Sequence, residues 1–134
     1  MNADQHIVTV RPAQAVDTLQ RLPYFVGIGA DTVGSSGLSM SLVVIPPGAV
    51  SEPHYHEGYE TAIYVLSGRV ETRYGAALEH VVINGPGDFV FVPPGLPHQA
   101  RNLTDTESAR AIVARNDPAE RERVQPYAVP MKPE

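Results

Sequence analysis

The chain has 134 residues, no cysteine, and a net charge of −5 from 10 Lys and Arg against 15 Asp and Glu. That length suits one domain with its own core, and the missing thiols exclude disulfide staples, thiolate zinc sites and a cysteine nucleophile together. The basic residues are scattered rather than banked on one stretch, which argues against nucleic acid as a partner.

The opening "MNADQHIVTVRP" has neither a basic start nor an apolar segment of leader length, and no run approaches the roughly 18 apolar residues of a membrane span. The expectation is a soluble, cytoplasmic protein with no membrane partner. Within the opening, "HIVTVRP" (6–12) is expected to be a first strand stopped by Pro12. Residues 13–22 carry helical spacing at Val16, Leu19 and Leu22 and predict a short helix ending before Pro23. "YFVGIGA" (24–30) and "LSMSLVVIPPG" (38–48) read as strands, the second closed by a Pro-Pro-Gly turn. Then come "ETAIYVLSG", "RVETRY", "LEHVVIN", "DFVFVPPG", "HQARNLT" and "SARAIVAR", each short, β-rich and bounded by Gly, Pro, Asn or Asp. Many short strands at such spacing predict an all-β sandwich or barrel. The tail from 116 to 134 is expected to hold one charged helical turn after Asp117-Pro118 and then to run exposed or draped over a neighbour.

Chemistry concentrates in "EPHYHEGYETAIYVLSG" (52–68). Alternation along a strand sends His54 and His56 to one face and Tyr55 to the other. A third imidazole, His98, arrives in "PGDFVFVPPGLPHQARN", where the turns at Pro93-Pro94-Gly95 and Pro97 steer the backbone. Three neutral imidazoles with a carboxylate suit one divalent transition ion per chain, zinc, iron, manganese, nickel or copper, better than calcium or magnesium.

These residues resemble the cupin superfamily, specifically its small single-domain bacterial type. The family's first motif, a glycine, five residues, His-x-His, three or four residues, Glu, six residues and Gly, is met by Gly48, His54, His56, Glu60 and Gly68 with one departure. The second motif, Gly-x5-Pro-x-Gly-x2-His-x3-Asn, is met throughout by Gly87, Pro93, Gly95, His98 and Asn102. The resemblance implies a double-stranded β-helix, or jelly-roll barrel, with its core at about 38–115 of a single domain spanning 1–134. It also implies metal ligands His54, His56, Glu60 and His98.

The departure concerns Glu60. Seven residues, not six, separate it from Gly68, so counting back from the glycine puts Thr61 at the ligand position, and one residue of slip turns a side chain to the opposite face. Counting forward from His56 restores Glu60, with a bulge or longer turn absorbing the extra residue. Glu60 is favoured, and a three-histidine site is the alternative.

His6 and His80 read as surface residues, and Glu52, Glu57 and Glu79 as exposed charges, Glu57 being near enough to His56 to substitute as a ligand. Phe89 or Phe91 could line the cavity, and Arg69, Arg73, Tyr64 and Tyr74 are candidates for touching a ligand. No catalytic acid or base can be assigned. The functional expectation is a small-molecule metalloenzyme, dioxygenase-like or isomerase/lyase-like; the alternative is a non-catalytic metal or small-molecule binding and sensing protein. The apolar strand at 6–12 and the proline-rich tail have no evident place in a barrel core, so a homodimer joined through them is expected.

Overall fold

A computed structural model describes residues 5–12, 22–119 and 124–130. In chain order the elements are β1 (Tyr24–Ile28), α1 (Ala30–Val33), β2 (Ser39–Ile45), β3 (His54–His56), β4 (Thr61–Ser67), β5 (Val70–Tyr74), β6 (His80–Asn84), β7 (Phe89–Val92), β8 (His98–Asn102), β9 (Ala109–Arg115) and β10 (Val124–Pro126). They form two five-stranded antiparallel sheets, ordered β1-β2-β9-β4-β7 and β10-β3-β8-β5-β6. Sequence neighbours are mostly not sheet neighbours, so the chain crosses repeatedly between the sheets, as the jelly roll requires.

The strands form where apolar residues fall on every second position. In β2 the inward set is Ser39, Ser41, Val43 and Ile45; in β9 it is Ala109, Ala111, Val113 and Arg115. Leu22, Tyr24, Val43, Ile45, Ala109, Ala111 and Val113 pack into one buried cluster. Each Val or Ile sealed there contributes about 1.5–3 kcal/mol relative to exposure. One close approach depends on glycine: at Gly68, with φ +88°, a Cβ would meet the Cα and Cβ of Ala109 at 2.7 Å. Across the barrel Asn102, buried in β8, donates from Nδ2 to the carbonyls of Ile45, Pro46 and Glu107 and accepts from the Thr104 amide at 3.0 Å, tying the end of β2 to the loop between β8 and β9.

The ends differ from expectation. Residues 5–12 form no strand, and Ile7 is 99% exposed. The stretch has β-like composition but no partner strand among the described residues. The predicted helix over 13–22 falls almost wholly outside the described residues, as does the core of the predicted turn after Pro118. Part of the tail is instead structural. Val124, Gln125 and Pro126 pair with His56, Tyr55 and His54, making β10 an added edge strand beside β3. No helix among the described residues is long and apolar enough to cross a membrane.

Candidate metal centre

The two motifs meet because β3 lies beside β8. His54 stands directly opposite His98 in the ladder, and the Gly95 amide donates to the His56 carbonyl at 2.7 Å, latching the turn before His98 onto β3. The structure thus brings His54, His56 and His98 together on the inner wall, all buried, with ligand nitrogens within 4.8 Å of one another. Their ring centroids are 5.0, 4.3 and 5.0 Å apart. Bonds of about 2.1 Å to one ion would place such nitrogens roughly 3.4 Å apart, so small side-chain rotations suffice.

The second nitrogen of each ring is engaged. His54 Nδ1 lies 2.6 Å from the Glu52 carbonyl and His98 Nδ1 2.9 Å from that of Leu96. A carbonyl only accepts, so Nδ1 carries the proton in both rings and Nε2 keeps its lone pair. His56 Nδ1 lies 2.8 Å from the Tyr59 hydroxyl, which can accept in the same way. Burial, seconded by His98, pushes His54 down to about 3. Burial followed by the nearby Arg115 pushes His56 down to about 2. His98 is lowered too, chiefly by burial, against an opposing bond to Leu96. Neutral imidazoles with free Nε2 lone pairs are the donor form a divalent transition ion takes, and the donor set fits such an ion.

Glu60 is not brought to this group. It is exposed just before β4, its amide donating to Asn116 Oδ1 at 2.8 Å, while Thr61 turns inward and is 2% exposed. The one irregularity in the β4–β9 ladder falls between Val65 and Ser67, beyond the point where it could rotate Glu60 inward. Glu52 and Glu57 are exposed, as are His6 and His80. Phe89 and Phe91 face outward at 84% and 59% exposure, because the inward positions of β7 belong to Val90 and Val92. Of the other candidates, Arg69 lies outside the cavity wall, Arg73 pairs with Glu71, Tyr64 packs on Phe89, and Tyr74 lies beside His80.

The histidines open into a cavity of about 90 Å³ between the sheets, walled by residues such as Val65, Val70, Val90 and Val113. Into it also projects Arg115, for which the sequence gives no functional expectation. It is buried; its Nη2 donates to the Tyr24 hydroxyl at 2.7 Å, and its guanidinium carbon lies 5.3 Å from the Tyr24 ring and 6.0 Å from that of Tyr59. Burial alone would lower its pKa, but Tyr24, Tyr59 and Asp117 outweigh that and raise it, so the cation is permanent. The available signal is an alternating strand, "ARAIVAR", whose last inward position is an arginine.

Comparison with known proteins agrees with this architecture. The cupin domain family matches residues 41–115, more than half of the chain. Over 86 residues the chain is 39% identical to germin-like protein subfamily T member 3 of Arabidopsis thaliana, covering 60% of this chain and 37% of that protein. Among solved structures, the polyketide cyclase RemF from Streptomyces resistomycificus superposes with a TM-score of 0.67 at 24% identity, over 97% of this chain and 88% of that one. A single-residue variant of oxalate decarboxylase from B. subtilis gives 0.74 at 19% identity, over 94% and 34%. A Lactobacillus farciminis oxalate decarboxylase in complex with formate gives 0.67 at 19%, over 79% and 31%. The chain therefore spans about a third of the length of the germin-like protein and of the decarboxylases, and it belongs to the cupin domain family.

Proposed function

We propose that the chain is a metal-dependent enzyme acting on small molecules, with His54, His56 and His98 holding one divalent transition ion. The observation that carries this reading is the trio of buried imidazoles, each engaged through Nδ1 and lining one cavity, with burial favouring their neutral form. Three protein ligands leave coordination positions open, whereas structural sites are usually closed by four. When bound, the ion would supply Lewis-acid polarisation of a substrate oxygen or a site for dioxygen. The chain's own groups do the rest. The Glu52 and Leu96 carbonyls hold two of the rings in one tautomer, the Tyr59 hydroxyl orients the third, and the valine walls limit water at the reacting centre. The solved structures it resembles include a decarboxylase and a cyclase by name. Chemistry of that kind, dioxygenase-like or isomerase/lyase-like, is the class we infer.

The test is elemental analysis of chelator-free protein, with turnover assays of the iron-, manganese-, nickel-, copper- and zinc-loaded forms against small acids, diketones and keto sugars. About one ion per chain, lost in His54→Ala or His98→Ala but kept in His80→Ala, is expected. No metal as purified and none on reconstitution would sink the reading; metal and binding without turnover across the panel would make the protein a binding module.

Self-association belongs to the same reading. The outer face of the first sheet presents Met40, Tyr64, Leu66, Phe89 and Phe91, all more than a third exposed, an apolar surface of the kind a second copy covers. The tail segment expected at the seam instead pairs within the chain, at Val124–Pro126 with β3, so we infer a homodimer across this face rather than through 6–12 and the tail; a monomer in light scattering at micromolar concentration would refute it.

A further inference from the structure

Among the described residues three buried polar atoms have no hydrogen-bond partner: Arg115 Nε, Thr61 Oγ1 and Ser41 Oγ. Arg115 and Thr61 are direct partners across the β4–β9 ladder, and both line the cavity that holds the histidines. Both residues are at least 95% buried. A buried charged donor left unmatched is costly, and natural structures rarely leave one without a water, ion or ligand to complete it. The electrostatics point the same way. Among the described residues no Asp or Glu lines this cavity, so its formal charge is the guanidinium, which Asp117 offsets from outside the lining. A divalent ion on three neutral imidazoles would add to that positive excess in a poorly screened space. The carboxylate that Glu60 does not provide is missing from the wall.

We propose that the substrate is a small carboxylate, one carboxylate oxygen accepting from Arg115 Nε and from the Thr61 hydroxyl while the remainder faces the three imidazoles. This rests on the metal reading above and names the substrate class for the same site. Arg115 and Thr61 are binding residues in this scheme, and the anion supplies the negative charge that the protein ligands lack. The number of donors selects the anion. Arg115 Nη2 donates to Tyr24, and the unpartnered buried donors on this wall are Nε and the Thr61 hydroxyl, which match a planar carboxylate, whereas the further oxygens of a phosphate would face mostly apolar wall. Size selects within the class, because a cavity of about 90 Å³ restricts the substrate to small acids.

The experiment is calorimetric titration of wild-type protein, its metal content measured in the same sample, with acetate and pyruvate against the isosteric neutral amides acetamide and pyruvamide, and with inorganic phosphate. Each acid should bind at least tenfold tighter than its amide, and phosphate more weakly than acetate. Arg115→Met should abolish the preference for the acid while retaining the ion, and Arg115→Lys should weaken acid binding about tenfold. Equal affinity for acetate and acetamide in metal-loaded wild type would overturn the inference and leave the metal reading standing, as would an Arg115→Met variant that keeps both ion and preference. Should Arg115→Met not fold, the acid-against-amide comparison on wild type decides alone. Wild type that takes up no metal would sink the metal reading instead, and its own acid-against-amide preference would still decide the role of Arg115.

Discussion

Acidification of the metal-free protein should destabilise it well above the carboxylate range. A histidine that stays neutral in the fold but titrates near 6.5 once unfolded gives the unfolded chain more bound protons between its two pKa values. Stability therefore rises with pH across that window and is lost as pH falls through it. With folded values of about 3 for His54 and about 2 for His56, both remain neutral in the fold at pH 5, where the unfolded chain protonates them. The unfolded value lies 1.5 above pH 5, and at about 1.4 kcal/mol per pH unit each ring costs about 2 kcal/mol between pH 8 and pH 5, about 4 kcal/mol together. That is a large share of the ~5–15 kcal/mol typical of a domain. Urea denaturation followed by circular dichroism, with chelator present, should show the midpoint falling by about 2–3 M for an m-value of about 1.5 kcal/mol/M. His54→Gln should remove about half of that fall. Unchanged midpoints between pH 8 and pH 5 would refute the claim that these imidazoles are buried in the neutral form.

Glu60→Gln should leave metal stoichiometry and affinity unchanged, since the carboxylate is exposed; a tenfold loss by calorimetry would return Glu60 to the ligand set. Thr61→Asp should set a carboxylate across from Arg115, tightening metal binding and weakening acetate at least tenfold in titrations of the loaded protein. Asn102→Ala should destabilise by about 2–4 kcal/mol in urea unfolding, because it removes the partner of the Thr104 amide and of the Ile45, Pro46 and Glu107 carbonyls. Gly68→Ala should cost about 2–4 kcal/mol by the same measurement, combining a left-handed backbone with contact against Ala109.

Much of this architecture is legible in the residues. Alternation in "SLVVI" and "ARAIVAR" marks half-buried strands, and two histidines one residue apart must share a face whatever the strand pairs with. The position of Glu60 is harder to read, because period-2 geometry converts an error of one residue into a complete reversal, and only the ladder with β9 shows that Thr61, Ile63 and Val65 hold the inward register. Arg115 escapes a sequence reading because a charged residue at the end of a strand ordinarily reads as a surface cap; its burial depends on Tyr24 and Tyr59, distant in sequence. Residues 6–12 read as a strand from the pattern around Ile7, Val8 and Val10, yet a strand exists only where a neighbour offers a ladder. The edge strand β10 is hidden for the converse reason, since "VQP" has little β character and is held by pairing with β3.

The brevity of β3 governs how an ion reaches the site. Seven consecutive residue pairs lace β2 to β9, but only one, His54 with His98, laces β3 to β8, and three join β3 to β10. Free energies of local opening follow such lacing. The strand bearing two of the three imidazoles can therefore part from its neighbours while the opposite sheet stays closed, giving metal exchange a route that bypasses global unfolding. Amide protons of Tyr55 and His56 should exchange with deuterium orders of magnitude faster than those of Val43 and Val113, and the bound ion, clamping His54 to His98, should slow them selectively.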